Sequence, residues 1–179
     1  MTAETRLFLD VGGFQGESAV FLSRSGAKKV IIYEPVTSHH KYIEENVSLN
    51  HVKAEIHDKG IGEKDGTITI KCIETNAGFG RLSEGPQEVK IKIRDIVKVI
   101  EESCADVAKI DCEGAEECLS RVPSQTLRKI GFYMIEVHSP AIRRALFEKF
   151  KDSGFTLIKE TKKTPTVSVV CFKRQARVS

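Results

Sequence analysis

The feature that most constrains this chain is the repeated alternation of short apolar runs with longer segments of helical periodicity. Apolar runs at 6–11 and 29–34 are each followed by such a segment, the first at 17–25 and the second after Ser38, which is predicted to cap that helix. Strands that alternate with helices form a parallel sheet, because right-handed crossovers place the helices on both of its faces. The sequence therefore predicts an α/β fold with a doubly wound, three-layer, Rossmann-like architecture.

The second half of the chain continues the alternation, with exceptions. Residues 60–73 alternate around Lys64-Asp65-Gly66, which predicts a hairpin within a small inserted β element, and residues 76–87 are predicted to be a flap. The last two strands, at 155–160 and 166–173, have so short a connection that they should pair antiparallel. We therefore expect a mostly parallel sheet with an antiparallel C-terminal hairpin. The remaining predicted elements lie at 53–57, 89–93, 96–102, 106–111, 115–119, 131–138 and 140–151.

Length and composition limit the class of protein. A chain of 179 residues suits one core, and we predict a single domain over residues 1–179. No run approaches the roughly 18 apolar residues of a membrane-spanning helix, and the N-terminus lacks the pattern of a signal peptide. We therefore expect a cytoplasmic protein without a membrane partner. The net charge of +3 does not favour a nucleic-acid partner but leaves one open, because the C-terminal segment is basic.

Acidic residues follow the apolar runs at the positions where a parallel sheet binds its ligands. In an open doubly wound sheet, ligands lie outside the C-terminal ends of the strands, where the strand order reverses. Carboxylates gathered there favour a cationic or hydroxyl-bearing ligand, since without one their charges would only repel one another. The acidic residues at these ends are Asp10, Glu34, Asp111, Glu113 and Glu136, with His138 after the last.

The first of these strand ends carries a glycine-rich turn. Gly12, Gly13 and Gly16 permit a tight strand-to-helix turn in which a ligand can touch the backbone. Glu34 stands where a carboxylate would accept both hydroxyls of a ribose, so the two features together indicate an adenosine-containing ligand. A dinucleotide would bring a pyrophosphate next to Asp10, whereas S-adenosylmethionine brings a sulfonium and an ammonium. The charges therefore favour S-adenosylmethionine over NAD.

Three motifs occur in order at the ends of three predicted strands. They are Asp10-Val-Gly12-Gly13-Phe-Gln-Gly16, Tyr33-Glu34-Pro35 and Lys109-Ile-Asp111-Cys-Glu113-Gly114-Ala-Glu116. They are similar to Asp-x-Gly-Ala-Asn-x-Gly, Phe-Glu-Pro and Lys-x-Asp-x-Glu-Gly-x-Glu, and the chain thus resembles the FkbM-type family of class I S-adenosylmethionine-dependent methyltransferases. The resemblance covers about residues 7–138, and the third motif is its most specific part. Phe14 departs from it, because it stands where the family's loop usually has Asn.

The resemblance implies a methyltransferase fold, S-adenosylmethionine as the cofactor, and a role for each matched residue. The residues implied to bind the cofactor are Asp10, Gly12, Gly13 and Gly16 for its methionine part, Glu34 for its ribose, and Gly60 and Ile61 for its adenine. The residues implied to face the transferred methyl group and the acceptor are Asp111 and Glu113, with Glu136 and His138 across the cleft.

Two motifs that serve particular classes of methyl acceptor are absent from the sequence. No proline follows Asp111 before Pro123, so the Asn/Asp-Pro-Pro-Tyr/Phe loop typical of methylation at nucleobase nitrogens is absent, as is the Pro-Cys nucleophile used on cytosine carbon. A hydroxyl on a sugar or small metabolite is the favoured acceptor. Its proton needs a base, and Asp111, Glu113 and His138 are chemically able to take it.

Other functions stay open at this point. One is an RNA methyltransferase that uses the basic C-terminal segment, and another is a dinucleotide- or cofactor-binding module without methyl transfer. The acidic strand ends and His138 also offer ligand atoms of a kind that Mg²⁺ accepts. Because the resembling family is not known as metal-dependent, we predict that no metal binds.

Overall fold

A computed structural model describes residues 6–75, 78–80 and 87–176 of the chain. Strands and helices alternate through most of this length, as the periodicity predicts. The strands are β1 (Leu7–Val11), β2 (Lys29–Tyr33), β3 (Ala54–His57), β4 (Gly60–Gly62), β5 (Gly66–Thr75), β6 (Gly78–Gly80), β7 (Gln87–Asp95), β8 (Val107–Ile110), β9 (Phe132–Val137), β10 (Phe155–Lys162) and β11 (Ser168–Arg174). The helices are α1 (Glu17–Arg24), α2 (Thr37–Leu49), α3 (Ile96–Ser103), α4 (Ser124–Leu127) and α5 (Pro140–Asp152), with a 3-10 helix at Ala115–Arg121.

Seven strands form the main sheet, in the order β10-β11-β9-β8-β1-β2-β3. Neighbouring strands from β9 to β3 are parallel, and β11 is antiparallel to both β9 and β10. The strand order reverses at β1, because the chain first runs outward to β3 and then returns to β8 on the other side. This confirms the predicted doubly wound, mostly parallel sheet and its antiparallel C-terminal hairpin.

Apolar side chains leave the central strands alternately toward two cores. Leu9 of β1 and Ile31 of β2 belong to a large core with side chains of α3, α5 and the 3-10 helix. Phe8 and Val30, their neighbours in sequence, belong to a smaller core with Ile43 of α2 and side chains of α1. Because both faces of these strands are buried, the strands are continuous apolar runs in the sequence. The sheet and the helices on its two faces form the three layers.

The inserted β element is a second sheet in the order β4-β7-β5-β6. β5 pairs antiparallel with β7, and β4 pairs parallel with β7, with Gly60 opposite Ile93. The predicted hairpin around Lys64-Asp65-Gly66 is wrong, because β7 lies between the two strands that this turn connects. Asp65 instead binds the residues that begin α3: it accepts a hydrogen bond from Asp95 N at 2.8 Å and contacts Lys98 Nζ at 2.6 Å.

The other predicted boundaries agree with the structure to within two residues, apart from the cap of α2. Ser38 does not cap this helix, which begins at Thr37 after Val36 without a side-chain cap. α4 has no counterpart among the predicted elements, and β6 lies in the segment predicted to be a flap. In the predicted flap, residues 76–77 and 81–86 lie outside the described residues. The longest helices that the structure describes, α2 and α5, have 13 residues each, and none of the described helices is long and apolar enough to cross a membrane.

Gly12 turns the chain at the end of β1, where the three central strands meet. Its φ is +78°, and its N–H donates a hydrogen bond to Tyr33 O at the end of β2, at 2.9 Å. A β-carbon on Gly12 would lie 1.7 Å from Asp111 O, just after β8. An L side chain is strained by the positive φ and excluded by this overlap. The packing of the strand ends therefore requires glycine here, independently of any ligand.

Gly12→Ala should lower the free energy of unfolding by about 3 kcal/mol or more, because its methyl group overlaps the carbonyl of Asp111 and strains the backbone. Gly26→Ala is the matched control. Gly26 has a φ of +99°, but no atom lies within 4 Å of a β-carbon there, so only strain of about 1–2 kcal/mol remains. Urea denaturation of the three proteins measures the difference, and equal losses would contradict the overlap with Asp111.

Candidate active site at the ends of the strands

A cavity of about 630 Å³ opens at the C-terminal ends of β1, β2 and β8. The strand ends contribute polar groups to its wall, and the inserted sheet contributes the apolar side chains of Ile68, Ile70, Ile91 and Ile93. The cavity therefore joins carboxylates from two strand ends to an apolar wall. The predicted site residues that line it are Gly12, Gly13, Glu34, Gly60, Ile61, Asp111 and Glu113.

Glu34 follows β2 and is almost wholly buried in the cavity wall. Its Oε2 accepts a hydrogen bond from Phe14 N and its Oε1 accepts one from Val36 N, both at 2.9 Å, and His39 Nδ1 lies 3.3 Å from Oε1. These contacts fix the orientation of the carboxylate and connect the glycine turn to the start of α2. A carboxylate has about four lone-pair sites, so Glu34 keeps acceptor capacity toward the cavity.

Phe14, where the resembling family usually has Asn, takes a left-handed conformation with a φ of +47°. Its backbone N–H is the group that reaches Glu34, and its ring lies edge-on to that of His39, with centroids 4.7 Å apart. The side chain lines the cavity and is 40% exposed. Phe14 therefore holds Glu34 through its backbone and contributes an aromatic surface to the cavity.

Asp10 is wholly buried and does not line the cavity. Its Oδ2 accepts a hydrogen bond from Ser18 Oγ at 2.5 Å, and its Oδ1 lies 3.2 Å from Lys109 Nζ. The same Nζ donates to Gly12 O at 2.7 Å. Burial raises the pKa of the Asp10 carboxyl, while Lys109 and Ser18 oppose that rise. Asp10 thus supports the glycine turn from behind the cavity wall.

Three carboxylates converge on Nε2 of His138. The distances from Nε2 are 3.9 Å to Asp111 Oδ1, 3.6 Å to Glu113 Oε2 and 3.8 Å to Glu136 Oε1. Glu136 also forms an ion pair with Lys163, next to β10. Burial raises the pKa of the Asp111 carboxyl. Asp111 and Glu113 line the cavity, whereas Glu136 and His138 adjoin them without lining it.

Glu116, to which sequence reasoning gave no role, holds His138 from the other side. This buried carboxylate accepts hydrogen bonds at Oε1 from His138 N at 2.9 Å and Nδ1 at 3.0 Å, and at Oε2 from Gly114 N at 2.7 Å. The hydrogen bond that His138 donates to Glu116 raises the pKa of His138. Burial acts to raise the pKa of Glu116, but the hydrogen bonds from His138, a backbone hydrogen bond within the 3-10 helix and the charge of His138 together lower that pKa. The sequence indicates a role for Glu116 only through its position at the end of the third motif.

Gly16 does not line the cavity either. A β-carbon on it would lie 3.2 Å from Ile43 Cα, so this glycine lets α1 begin close to α2. Its φ of +91° is a second reason for glycine at this position. The structure thus places Gly16, like Asp10, where it shapes the turn from outside the cavity.

The acidic strand ends are also the place to consider a metal. Asp111, Glu113 and His138 bring one atom each, of a kind that ligates metals, to within 4.8 Å of one another. Their surroundings already contain cations, because Lys163 pairs with Glu136 and Lys109 Nζ lies 3.8 Å from Asp111 Oδ2. The geometry therefore does not require an ion, we assign none to these residues, and the absence of a metal stays a prediction.

Comparison with known proteins identifies the family of this chain. The methyltransferase FkbM domain matches residues 10–157, a range that includes all three sequence motifs. The chain belongs to the FkbM methyltransferase family. The resemblance seen in the sequence is thereby confirmed. A comparison with curated proteins finds no match to the chain.

Solved structures of other methyltransferases share the fold of this FkbM-family chain. An rRNA methylase from Streptococcus thermophilus has a TM-score of 0.61 and 11% identity, over 97% of this chain and 89% of that one. A candidate tRNA (m1A22) methyltransferase from Streptococcus pneumoniae, in complex with S-adenosyl-L-methionine, has a TM-score of 0.58 and 14% identity, over 98% and 70%. Precorrin-6y C5,15-methyltransferase from Geobacter metallireducens has a TM-score of 0.55 and 11% identity, over 95% and 80%. At these identities the likeness shows the fold alone.

Lys109→Met should lower the free energy of unfolding by about 3–5 kcal/mol at pH 7, because it leaves the Asp10 carboxylate buried without its cation. The loss should shrink as the pH falls. Lys109 opposes the rise that burial causes in the pKa of Asp10, so without Lys109 this pKa is higher still. The folded variant therefore takes up the neutralising proton at a higher pH than the wild type does, and its deficit shrinks as the pH falls.

The control for this change is Lys98→Met, which removes an exposed lysine paired with Asp65. Such a surface pair contributes about 1 kcal/mol or less. Urea denaturation at pH 7 and at pH 5 measures both variants. A loss for Lys109→Met that matches the control, or that does not change with pH, would argue against the buried pair.

Proposed function

We propose that this protein is an S-adenosylmethionine-dependent methyltransferase that methylates a hydroxyl group of a sugar or small metabolite. The observation that carries the proposal is Glu34, a buried carboxylate in the cavity wall whose orientation is fixed by the backbone N–H groups of Phe14 and Val36. A carboxylate fixed in this way is preorganised to accept hydrogen bonds from the two hydroxyls of a ribose. The fold shared with a protein solved in complex with S-adenosyl-L-methionine supports the same cofactor.

The charge of the cavity supports a cationic cofactor. The charged residues that line it are Glu17, Glu34, Asp111, Glu113 and Lys109. This excess of carboxylates would stabilise a sulfonium and an ammonium and would repel the pyrophosphate of a dinucleotide. In the sequence, Asp10 is the carboxylate predicted to repel such a pyrophosphate. Because Asp10 is buried against Lys109, the carboxylates that face the cavity carry the argument instead.

The predicted cofactor residues fit S-adenosylmethionine in two ways. Gly12 and Gly13 present backbone to the cavity beside Glu34, which suits the methionine part and the ribose, and Gly60 and Ile61 adjoin the isoleucine wall, which suits an adenine ring. Asp10 and Gly16 lie outside the cavity, so we assign them the support of the turn rather than contact with the cofactor.

The acceptor side is formed by the ends of β8 and β9. When bound, S-adenosylmethionine supplies a methyl group on a positively charged sulfur, so the protein's tasks are to align the acceptor and to remove its proton. Asp111 and Glu113 line the cavity and can accept hydrogen bonds from an acceptor hydroxyl, with Glu136 and His138 beside them. We assign these four residues to acceptor binding and deprotonation.

An RNA acceptor is the second candidate. An rRNA methylase and a candidate tRNA methyltransferase share the fold, and the β10–β11 hairpin exposes Lys159 and Lys162. Binding of RNA would weaken steeply with added salt, because phosphate contacts release counterions. Methyl transfer to RNA, with none to sugars, glycosides or hydroxylated metabolites in a parallel screen, would replace the hydroxyl proposal.

Glu34→Ala should weaken the binding of S-adenosylhomocysteine by about 1.5–3 kcal/mol, roughly 10- to 150-fold, because charge-assisted hydrogen bonds to the ribose are lost. Isothermal titration calorimetry measures this change. The wild-type protein should bind S-adenosylhomocysteine and should not bind NAD under the same conditions.

Glu44→Ala is the control, since Glu44 is an exposed carboxylate on α2, the helix that begins beside Glu34. The affinity of the Glu44→Ala protein for S-adenosylhomocysteine should equal that of the wild type. Melting temperatures of both variants separate a lost contact from a lost fold. Unchanged affinity in a folded Glu34→Ala protein would remove Glu34 from the cofactor site, and binding of NAD alone would overturn the proposed function.

A further inference from the structure

We propose that His138 is the base that takes the acceptor's proton and that Glu116 is the positioning residue that directs His138 toward it. The proposal rests on the proposed function, because it assigns roles within the same site. It is drawn from the contacts of Glu116. This carboxylate is buried, and the proposed function gives it no contact with the cofactor or the acceptor.

Glu116 joins two strand ends that carry acceptor-side residues. It lies on the 3-10 helix after β8 and receives both the backbone N–H and Nδ1 of His138, the first residue after β9. Its other oxygen receives the N–H of Gly114, in the loop that contains Asp111 and Glu113. One carboxylate therefore fixes that loop and His138 relative to each other.

The contact with Glu116 also decides which nitrogen of His138 is free. An ionised carboxylate can only accept hydrogen bonds, so Nδ1, at 3.0 Å from Glu116 Oε1, carries the hydrogen. The neutral ring then has its lone pair on Nε2. Because Nε2 lies 3.9 Å from Asp111 and 3.6 Å from Glu113, a hydroxyl bound between these two carboxylates is within reach of it.

Charged groups surround His138 from each element that packs against it. They are Asp111 and Glu113 from the loop after β8, Glu116 from the 3-10 helix, Glu136 from β9, and Lys163, which pairs with Glu136, from the turn after β10. The hydrogen bond to Glu116 and the neighbouring carboxylates raise the pKa of His138 above 6.5. Only the neutral ring is a base, so the rate of methyl transfer should rise with pH through that raised pKa.

The step balances without a further reactant. The acceptor oxygen forms a bond to the methyl carbon while the carbon–sulfur bond breaks, and the electron pair of the broken bond stays on sulfur, which becomes neutral. The O–H bond breaks and its proton passes to Nε2 of His138. The resulting imidazolium lies among Asp111, Glu113 and Glu136, which stabilise it until water takes the proton.

Nuclear magnetic resonance of labelled histidine tests the positioning without an acceptor. The signals of His138, one of five histidines, are identified by their loss in His138→Gln. In the unaltered protein the neutral ring should carry its hydrogen on Nδ1. Glu116→Gln should lower the pKa of His138, and Glu117→Gln, at an exposed neighbour on the same 3-10 helix, should leave it unchanged. A hydrogen on Nε2, or equal pKa values in Glu116→Gln and the control, would overturn the role of Glu116.

The tautomer of His138 is measured on the unaltered protein. It therefore tests the positioning role of Glu116 even where Glu116→Gln does not fold. The base role is tested with a hydroxylated acceptor found by the screen. We expect the wild-type rate to rise through the measured pKa of His138, this rise to move to lower pH in Glu116→Gln, and His138→Gln to be about 10²–10⁴-fold slower. A rate of methyl transfer that does not depend on pH in this range, or that is the same in His138→Gln as in the wild type, would overturn the role of His138 as the base. Failure of the proposed function is distinct, since it appears as absent binding of S-adenosylhomocysteine to the wild type.

Discussion

Much of the candidate site depends on one buried ion pair, between Lys109 of β8 and Asp10 of β1. Removing both charges from water is costly, and the cost is offset because Lys109 also binds the carbonyl of Gly12 and Ser18 donates to Asp10. This network joins the two central strands at the edge where the strand order reverses. The glycine turn lies on one side of it and the acidic loop on the other, so the pair connects the two.

The carboxylates of the site divide into two kinds by their surroundings. Asp10, Glu34 and Glu116 are buried and accept hydrogen bonds from neighbouring segments, so they hold the strand ends together. Asp111 and Glu113 are partly or largely exposed in the cavity wall. Glu34 belongs to both kinds, because it holds two loops and also lines the cavity. Rigid carboxylates behind the wall thus position the ones that are free to meet a ligand.

The sequence predicted the architecture because apolar periodicity, glycine turns and short connections are local signals. It missed the pairing of β4 with β7, since a parallel pairing between residues some thirty positions apart leaves no turn signal. It placed the acidic residues at the correct edge of the sheet but could not separate Asp10, which is buried, from Glu34, which lines the cavity. Only side-chain partners distinguish these cases. Glu116 was overlooked because its place in a motif does not say which groups it contacts.

The inserted sheet is attached to the rest of the protein at its two ends. Gly60–Gly62, where it begins, pair with Ile93–Asp95, where it ends, so the segment between them closes on itself beside the cavity. Ile68 and Ile70, which contribute to the apolar wall, lie inside this closed segment. Natural selection can therefore lengthen, shorten or recompose the segment without displacing Glu34 or Asp111. The apolar wall of the cavity can thus change in depth and shape while the carboxylates at the ends of β2 and β8 keep their positions.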